Sequence, residues 1–226
     1  MNILEQPLGT LARTIPGATR LFYQNRLDFC CGGHESLQDA AICRGLNPKT
    51  IAAQLNVLQQ TKNTDQAAHQ ATPETLIPHI LERYHERHRE QLPELVRLAA
   101  RVELVHREHP DCPKGLSSLL MAMHQELESH MLKEENVLFP MLLRHLFDHA
   151  INPIAMMRFE HDQHGQSVKQ MEQLTKNLTL PDDACDTWQA LYWQLDWFRA
   201  DLMEHIHLEN NLLFECVEAQ GANGHG

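Results

Sequence analysis

The sequence predicts an all-α fold, an up-down-up-down four-helix bundle preceded by a small helical domain, and three observations point there. Four long segments carry apolar residues at helical spacing, with short Pro- and Asp-containing turns between them. The motif H-x-x-x-E-x-N-x-L-F occurs twice, from His130 to Phe139 and, 75 residues later, from His205 to Phe214. A second pair, His85-Glu-Arg-His88 and His161-Asp-Gln-His164, repeats H-x-x-H at an offset of 76. A helical hairpin is therefore written twice.

From Pro7 to about Thr61 the chain falls into short helical pieces, Leu8 to Thr14, Ala18 to Leu27, Leu37 to Cys43 and Lys49 to Leu58, interrupted by Gly17, Gly32-Gly33, and Gly45 with Pro48. Residues 1–60 read as a small helical domain carrying a Cys-Cys motif. The polar run 61–72 lacks an apolar stripe and reads as a linker. Residues 73–220 form the bundle, and 221–226 are expected to be a disordered tail.

The first bundle segment runs from Pro73 to His106, striped by Leu81, His85, His88, Leu92, Leu95 and Ala99. Pro78 and Pro93 should bend it or reset its start. The second, Lys114 to Leu146, has Leu120, Met123, Leu127, His130, Glu134 and Leu138 on one face. The third, Pro153 to Asn177, presents Ile154, Met157, His161, His164, Val168 and Met171. The fourth, Ala184 to Ala219, presents Leu191, Leu195, Phe198, Leu202, His205, Glu209 and Leu212. Turns are expected at Pro110 to Pro113, Asp148 to Pro153 and Pro181 to Asp183.

In an antiparallel hairpin, residues at one height are equidistant from the turn. The midpoint of His85 and His130 falls between residues 107 and 108, and that of His161 and His205 at residue 183. The midpoint of His130 and His161 lies at His145 to Leu146, just before the second expected turn. All four histidines fit one layer.

Buried imidazoles and carboxylates are costly unless paired or bound to metal. His85, His130, Glu134, His161, His205 and Glu209 are thus the candidate metal ligands. Two octahedral ions offer twelve positions: four histidines fill four, two bridging glutamates four more, and an oxo or hydroxo bridge two. One position per ion remains for a small ligand. Histidine and carboxylate ligation without cysteine suits iron, with manganese or zinc open on ligand type alone. Ferritin-like di-iron proteins instead favour Glu-x-x-His on two helices, whereas the repeated spacing here is His-x-x-x-Glu, which speaks against that class. His88 and His164 are either further ligands, donors to the ligands or partly exposed side chains. Glu126 and Glu160, adjacent to ligand positions, either orient ligands, line an access route or are ordinary surface acids. Tyr84 beside His85 reads as packing.

Totals exclude other classes. The chain has 226 residues, 42% of them hydrophobic, with no apolar run long enough to span a membrane and no secretory signal at its amino terminus. A formal charge of -11 argues against a broad role on nucleic acid or anionic membrane. Six cysteines without such a signal read as reduced thiols. Cys30-Cys31-Gly-Gly is either two thiols in a turn or a redox or iron-transfer pair, since adjacent cysteines close a disulfide only with strain. Cys43, Cys112, Cys185 and Cys216 are scattered and read as structural.

The Pro7-Leu-Gly start, Asp28-Phe-Cys-Cys-Gly-Gly33, Arg83-Tyr-His-Glu-Arg-His-Arg-Glu-Gln-Leu-Pro-Glu-Leu95, Pro113-Lys-Gly, His130-Met-Leu-Lys-Glu-Glu, Glu160-His-Asp and Leu208-Glu-Asn-Asn211 carry a resemblance over almost the whole chain. Together they resemble the iron-sulfur cluster repair di-iron proteins of the YtfE/ScdA type. That resemblance implies a hemerythrin-like bundle with a non-haem centre of two Fe ions, held by the six residues named above. It implies cytoplasmic repair of iron-sulfur proteins damaged by nitrosative and oxidative stress, with Glu126 and Glu160 near an access route. The site also admits nitric oxide or oxygen as small ligands, so nitric oxide reduction and gas sensing are alternative functions. Neither nucleic acid nor membrane is an expected partner, and a homodimer stays open.

Overall fold

The computed structural model of the chain describes residues 2–30, 32–60 and 72–223. Among them, regular structure is helical, joined by one isolated antiparallel bridge between Pro7 and Ser36. Four short helices come first: α1 (Leu8–Thr14), α2 (Ala18–Gln24), α3 (Leu37–Cys43) and α4 (Pro48–Gln60). Four long ones follow. α5 runs through Pro73–Ile80, a π turn Leu81–His85 and Glu86–Val105; α6 through Leu116–Lys133, a π turn Glu134–Leu138 and Phe139–Leu143. α7 is Phe147–Leu174, and α8 runs through Asp186–Leu208, a π turn Glu209–Leu213 and Phe214–Asn223.

Two compact units result, residues 1–76 with 203–226, and residues 77–202. In the first, Leu8, Leu11, Phe22, Leu27, Phe29 and Leu55 form a core against which Met203 of α8 packs. Ser36 caps α3, accepting from the Asp39 amide at 3.1 Å while its hydroxyl donates to the Asp39 carboxylate at 2.6 Å. In the second unit the apolar stripes of α5, α6, α7 and the first part of α8 face inward. Arg199, buried among them, donates to Glu172 of α7 at 2.6 Å and to Asp196 at 2.7 Å. Pairing is what makes a charge tolerable at that depth.

Several expected boundaries move. α2 ends at Gln24 rather than Leu27, because Arg26 takes a left-handed φ of 54° and Leu27 turns into the core. Helix α7 begins at Phe147 and passes through Pro153, so the expected turn at Asp148 to Pro153 is replaced by a tight one at Arg144–Leu146, with His145 at φ 56°. Proline at the seventh helical position forfeits one hydrogen bond, but buried Ala150, Ile154 and Met157 hold that face. The true turn coincides with the midpoint of His130 and His161. Pro78 and Pro93 likewise lie within helices, and the π turn after Pro78 starts three residues later. The final helix extends to Asn223, into the expected tail, whose residues 224–226 lie outside the described ones, as do residues 61–71 of the expected linker over 61–72.

Candidate metal centre

His85, Glu134 and Glu209 lie in three π turns, while His130, His161 and His205 stand on regular α-helical stretches. In each turn an amide bonds the carbonyl five residues back: Glu86 to Leu81, Phe139 to Glu134, and Phe214 to Glu209. Such bulges widen a helix locally and are frequent where side chains must be re-aimed. His85 closes the first, while Glu134 and Glu209 open the other two. The repeated segment E-x-N-x-L is therefore the bulge itself, written twice.

His85, His130, Glu134, His161, His205 and Glu209 are all buried, none more than 1% exposed. Within residues 77–202, the two Glu134 oxygens diverge: Oε2 lies 3.4 Å from His85 Nε2, and Oε1 lies 3.4 Å from His130 Nε2. The Nε2 atoms of His130 and His161 are 3.1 Å apart. On α8, His205 Nε2 lies 3.1 Å from Glu209 Oε1. The donor atoms gather into two groups, each within 4.8 Å: His85, Glu134, His205 and Glu209, and His130, Glu134, His161 and Glu209. Both carboxylates belong to both groups, and each group has two imidazoles of its own. Buried nitrogen and oxygen donors without sulfur suit iron.

Two of the imidazoles are gripped from behind. His85 Nδ1 is 2.8 Å from Glu135 Oε1, and Glu135 is held by Arg89 at 2.9 Å, which also reaches Glu128 at 2.9 Å. His130 Nδ1 is 2.9 Å from Glu160 Oε2, and Lys133 pairs with the other Glu160 oxygen. The hydrogen bond with His130, aided by Lys133 against the cost of burial, holds the Glu160 carboxyl down to about 2. Burial works against ionisation of Glu135, but its bonds with Arg89 and His85 prevail and lower its pKa. An anionic carboxylate at Nδ1 keeps that nitrogen protonated and turns Nε2 inward.

Comparison with known proteins points to a cation-binding bundle. Residues 76–217 match the hemerythrin HHE cation binding domain, and residues 4–59 match ScdA_N, a domain of unknown function. The iron-sulfur cluster repair protein YtfE of Yersinia pseudotuberculosis serotype IB (strain PB1/+) is 50% identical over 214 residues, covering 95% of this chain and 97% of the relative. Its counterpart in Yersinia pestis (strain Pestoides F) matches to the same extent. The chain belongs to the YtfE family. In this YtfE-family chain no helix of the described residues is long and apolar enough to cross a membrane.

Other residues singled out from the sequence lie apart from the two donor groups. His88 is buried with its ring edge-on to Phe198 at 5.6 Å, and His164 is buried edge-on to His130 at 5.0 Å. Glu126 is exposed on α6. Tyr84 is buried under the Arg83 guanidinium, 5.0 Å above its ring. Cys30 is buried with its thiol 3.5 Å from Asp28, whereas Cys31 lies outside the described residues. Cys112 is buried like Cys30, and burial pushes its thiol up; Cys43 and Cys185 are exposed.

Sequence reasoning missed Glu135, and it missed the two asparagines after Glu209. Asn210 donates to the Cys30 carbonyl at 3.3 Å, and Asn211 to the Phe29 carbonyl at 3.4 Å and to His207 Nδ1 at 2.9 Å. His207 packs against the Phe29 ring at 5.3 Å, and burial lowers its pKa to about 4, leaving Nδ1 free to accept. The signal was present: the repeat reads Glu-Glu-Asn at 134–136 and Glu-Asn-Asn at 209–211. The residue after each glutamate is the one that differs, and it faces a different task in each copy. Glu135 orients His85; Asn210 holds the cysteine loop.

Proposed function

We propose that this chain repairs iron-sulfur clusters damaged by nitrosative and oxidative stress, supplying iron from a centre of two irons in the bundle. His85, His130, His161 and His205 would hold the metals, with Glu134 and Glu209 shared between them as bridges. The observation that carries this reading is that the same two carboxylates enter both four-residue donor groups, each with its own pair of histidines. The relatives are iron-sulfur cluster repair proteins by name, which supports the task. Their name also favours repair over nitric oxide reduction or gas sensing, which no feature of the donor set singles out.

Irons held there would supply the metal that a broken cluster lacks. The protein's part is to keep that metal bound yet removable. Glu135 and Glu160 fix two of the imidazoles, those of His85 and His130, which makes these nitrogens the rigid side of the site. The carboxylates are its labile side: a proton on Glu134 or Glu209 removes a charge and a donor oxygen together. Cys30, and Cys31 beside it, are candidate thiols for engaging or handing on iron. The expected partners are iron-sulfur proteins.

Iron-loaded protein should reactivate a nitric-oxide-damaged iron-sulfur enzyme, and Glu134→Leu should not. Equal reactivation by wild type and Glu134→Leu would end the iron-supply reading. Nitrous oxide formed in a single turnover by the reduced protein, without reactivation, would shift the function to nitric oxide turnover.

A further inference from the structure

Within residues 77–202, α5 and α8 leave between them a groove of about 460 Å³ that takes no part in the centre. One wall is a stripe of exposed carboxylates, Glu82, Glu86 and Glu90, at successive turns of α5. None of the three has an ion-pair partner among the described residues. The other wall is Trp193 and Trp197, one turn apart on α8, 64% and 49% exposed, with ring centroids 5.0 Å apart. Exposed tryptophans at this density are unusual on a surface whose own core, one turn earlier, buries Trp188 to 1%.

The groove already contains one guanidinium on an indole. Arg87 lies over the Trp197 ring at 5.5 Å while its Nε bonds Asp201 at 2.8 Å. Arg83 bonds the other Asp201 oxygen, also at 2.8 Å. Asp201 thus holds both arginines, and Arg87 covers Trp197. What remains uncommitted is the Trp193 face and three carboxylates. An indole face beside carboxylates attracts a planar cation, through the ring quadrupole and through charge. Tryptophan and arginine are also the residues that dominate protein–protein hot spots.

We propose that this groove docks an arginine-bearing segment of a partner protein, with a guanidinium stacked on Trp193 and ion-paired to the Glu82–Glu86–Glu90 stripe. Charge complementarity selects this occupant, because the free charge of the groove is acidic and the free apolar surface aromatic. Docking here is independent of whether the bundle holds iron.

The test is isothermal titration calorimetry of the full-length protein with a blocked tetra-arginine peptide at near-physiological salt, with tetra-lysine and tetra-glutamate as comparisons. Tetra-arginine should bind saturably, tetra-lysine several-fold more weakly, and tetra-glutamate not at all. Trp193→Ala should weaken tetra-arginine binding about tenfold, the scale of a partly desolvated cation–π contact. Glu86→Gln should weaken it a few-fold. Circular dichroism should show both variants folded, as expected for exposed positions. Three outcomes overturn the proposal: unchanged affinity in Trp193→Ala, equal loss in a distant Asp182→Asn/Asp183→Asn variant, which would mean nonspecific attraction, or a dimer in sedimentation that Trp193→Ala dissociates, which would mean the groove receives a second copy of this chain.

Discussion

Each of His85 and His130 has a carboxylate at Nδ1, and the two carboxylates come from different places: Glu135 from the neighbouring π turn, Glu160 from the residue before another candidate ligand. Position alone separates the useful acids from the idle one. Glu160 was legible because it adjoins His161, and Glu126 was singled out by the same logic, yet only Glu160 reaches an imidazole; Glu126 faces solvent. One turn of helix decided the matter, and a pattern of spacings does not carry that information. Glu135→Gln and Glu160→Gln should each lower iron affinity by about 10- to 100-fold, read by competition with a chelator, because the amide orients the ring less firmly and withdraws its charge. Unchanged competition curves would mean that the donor geometry is set by packing alone.

At the scale of the element, the π turns explain why the sequence repeat extends beyond its candidate ligands. The repeat H-x-x-x-E supplies the donors, and x-N-x-L-F supplies the bulge and its return to the core. Leu213, not the expected Leu212, is the fully buried residue after Glu209, matching Leu138 after Glu134. A regular helical wheel misses this shift because it assumes one turn geometry throughout. The last π turn also anchors the cysteine loop, and α1 approaches it closely. A Cβ on Gly9 would stand 2.6 Å from Asn211 Oδ1 and 3.2 Å from the Gly33 carbonyl. Gly9→Ala should therefore cost about 1–3 kcal/mol in urea unfolding. Gly45, with φ 69° and nothing within 4 Å of its missing Cβ, gives the contrast: Gly45→Ala meets only backbone strain and should cost about 1 kcal/mol. Asn211→Ala, which removes two side-chain hydrogen bonds, should cost about 1–2 kcal/mol.

For the whole molecule, the bundle was legible because its stripes are long and its hairpin is duplicated. The compact units were not. They divide the chain between Leu202 and Met203, inside α8, because the end of that helix packs with the amino-terminal helices through Met203, His207 and Asn211. No composition shift marks such a boundary, since one continuous helix crosses it. Bound metal should stabilise the fold strongly, because Glu134 and Glu209 are wholly buried. Iron at a thousandfold excess over its dissociation constant adds about 4 kcal/mol. For a chain of this length that raises the thermal midpoint by about 8–16 °C over chelator-treated protein. A midpoint that ignores the chelator would place the metal outside the folded core.

The most direct test is iron analysis with Mössbauer spectroscopy on wild type and His130→Ala. Wild type should hold about two irons per chain, coupled through shared bridges, and His130→Ala should hold fewer and lose the coupled signal. Fewer than about two irons in fully loaded wild type, or a His130→Ala spectrum identical to it, would contradict the six-residue site.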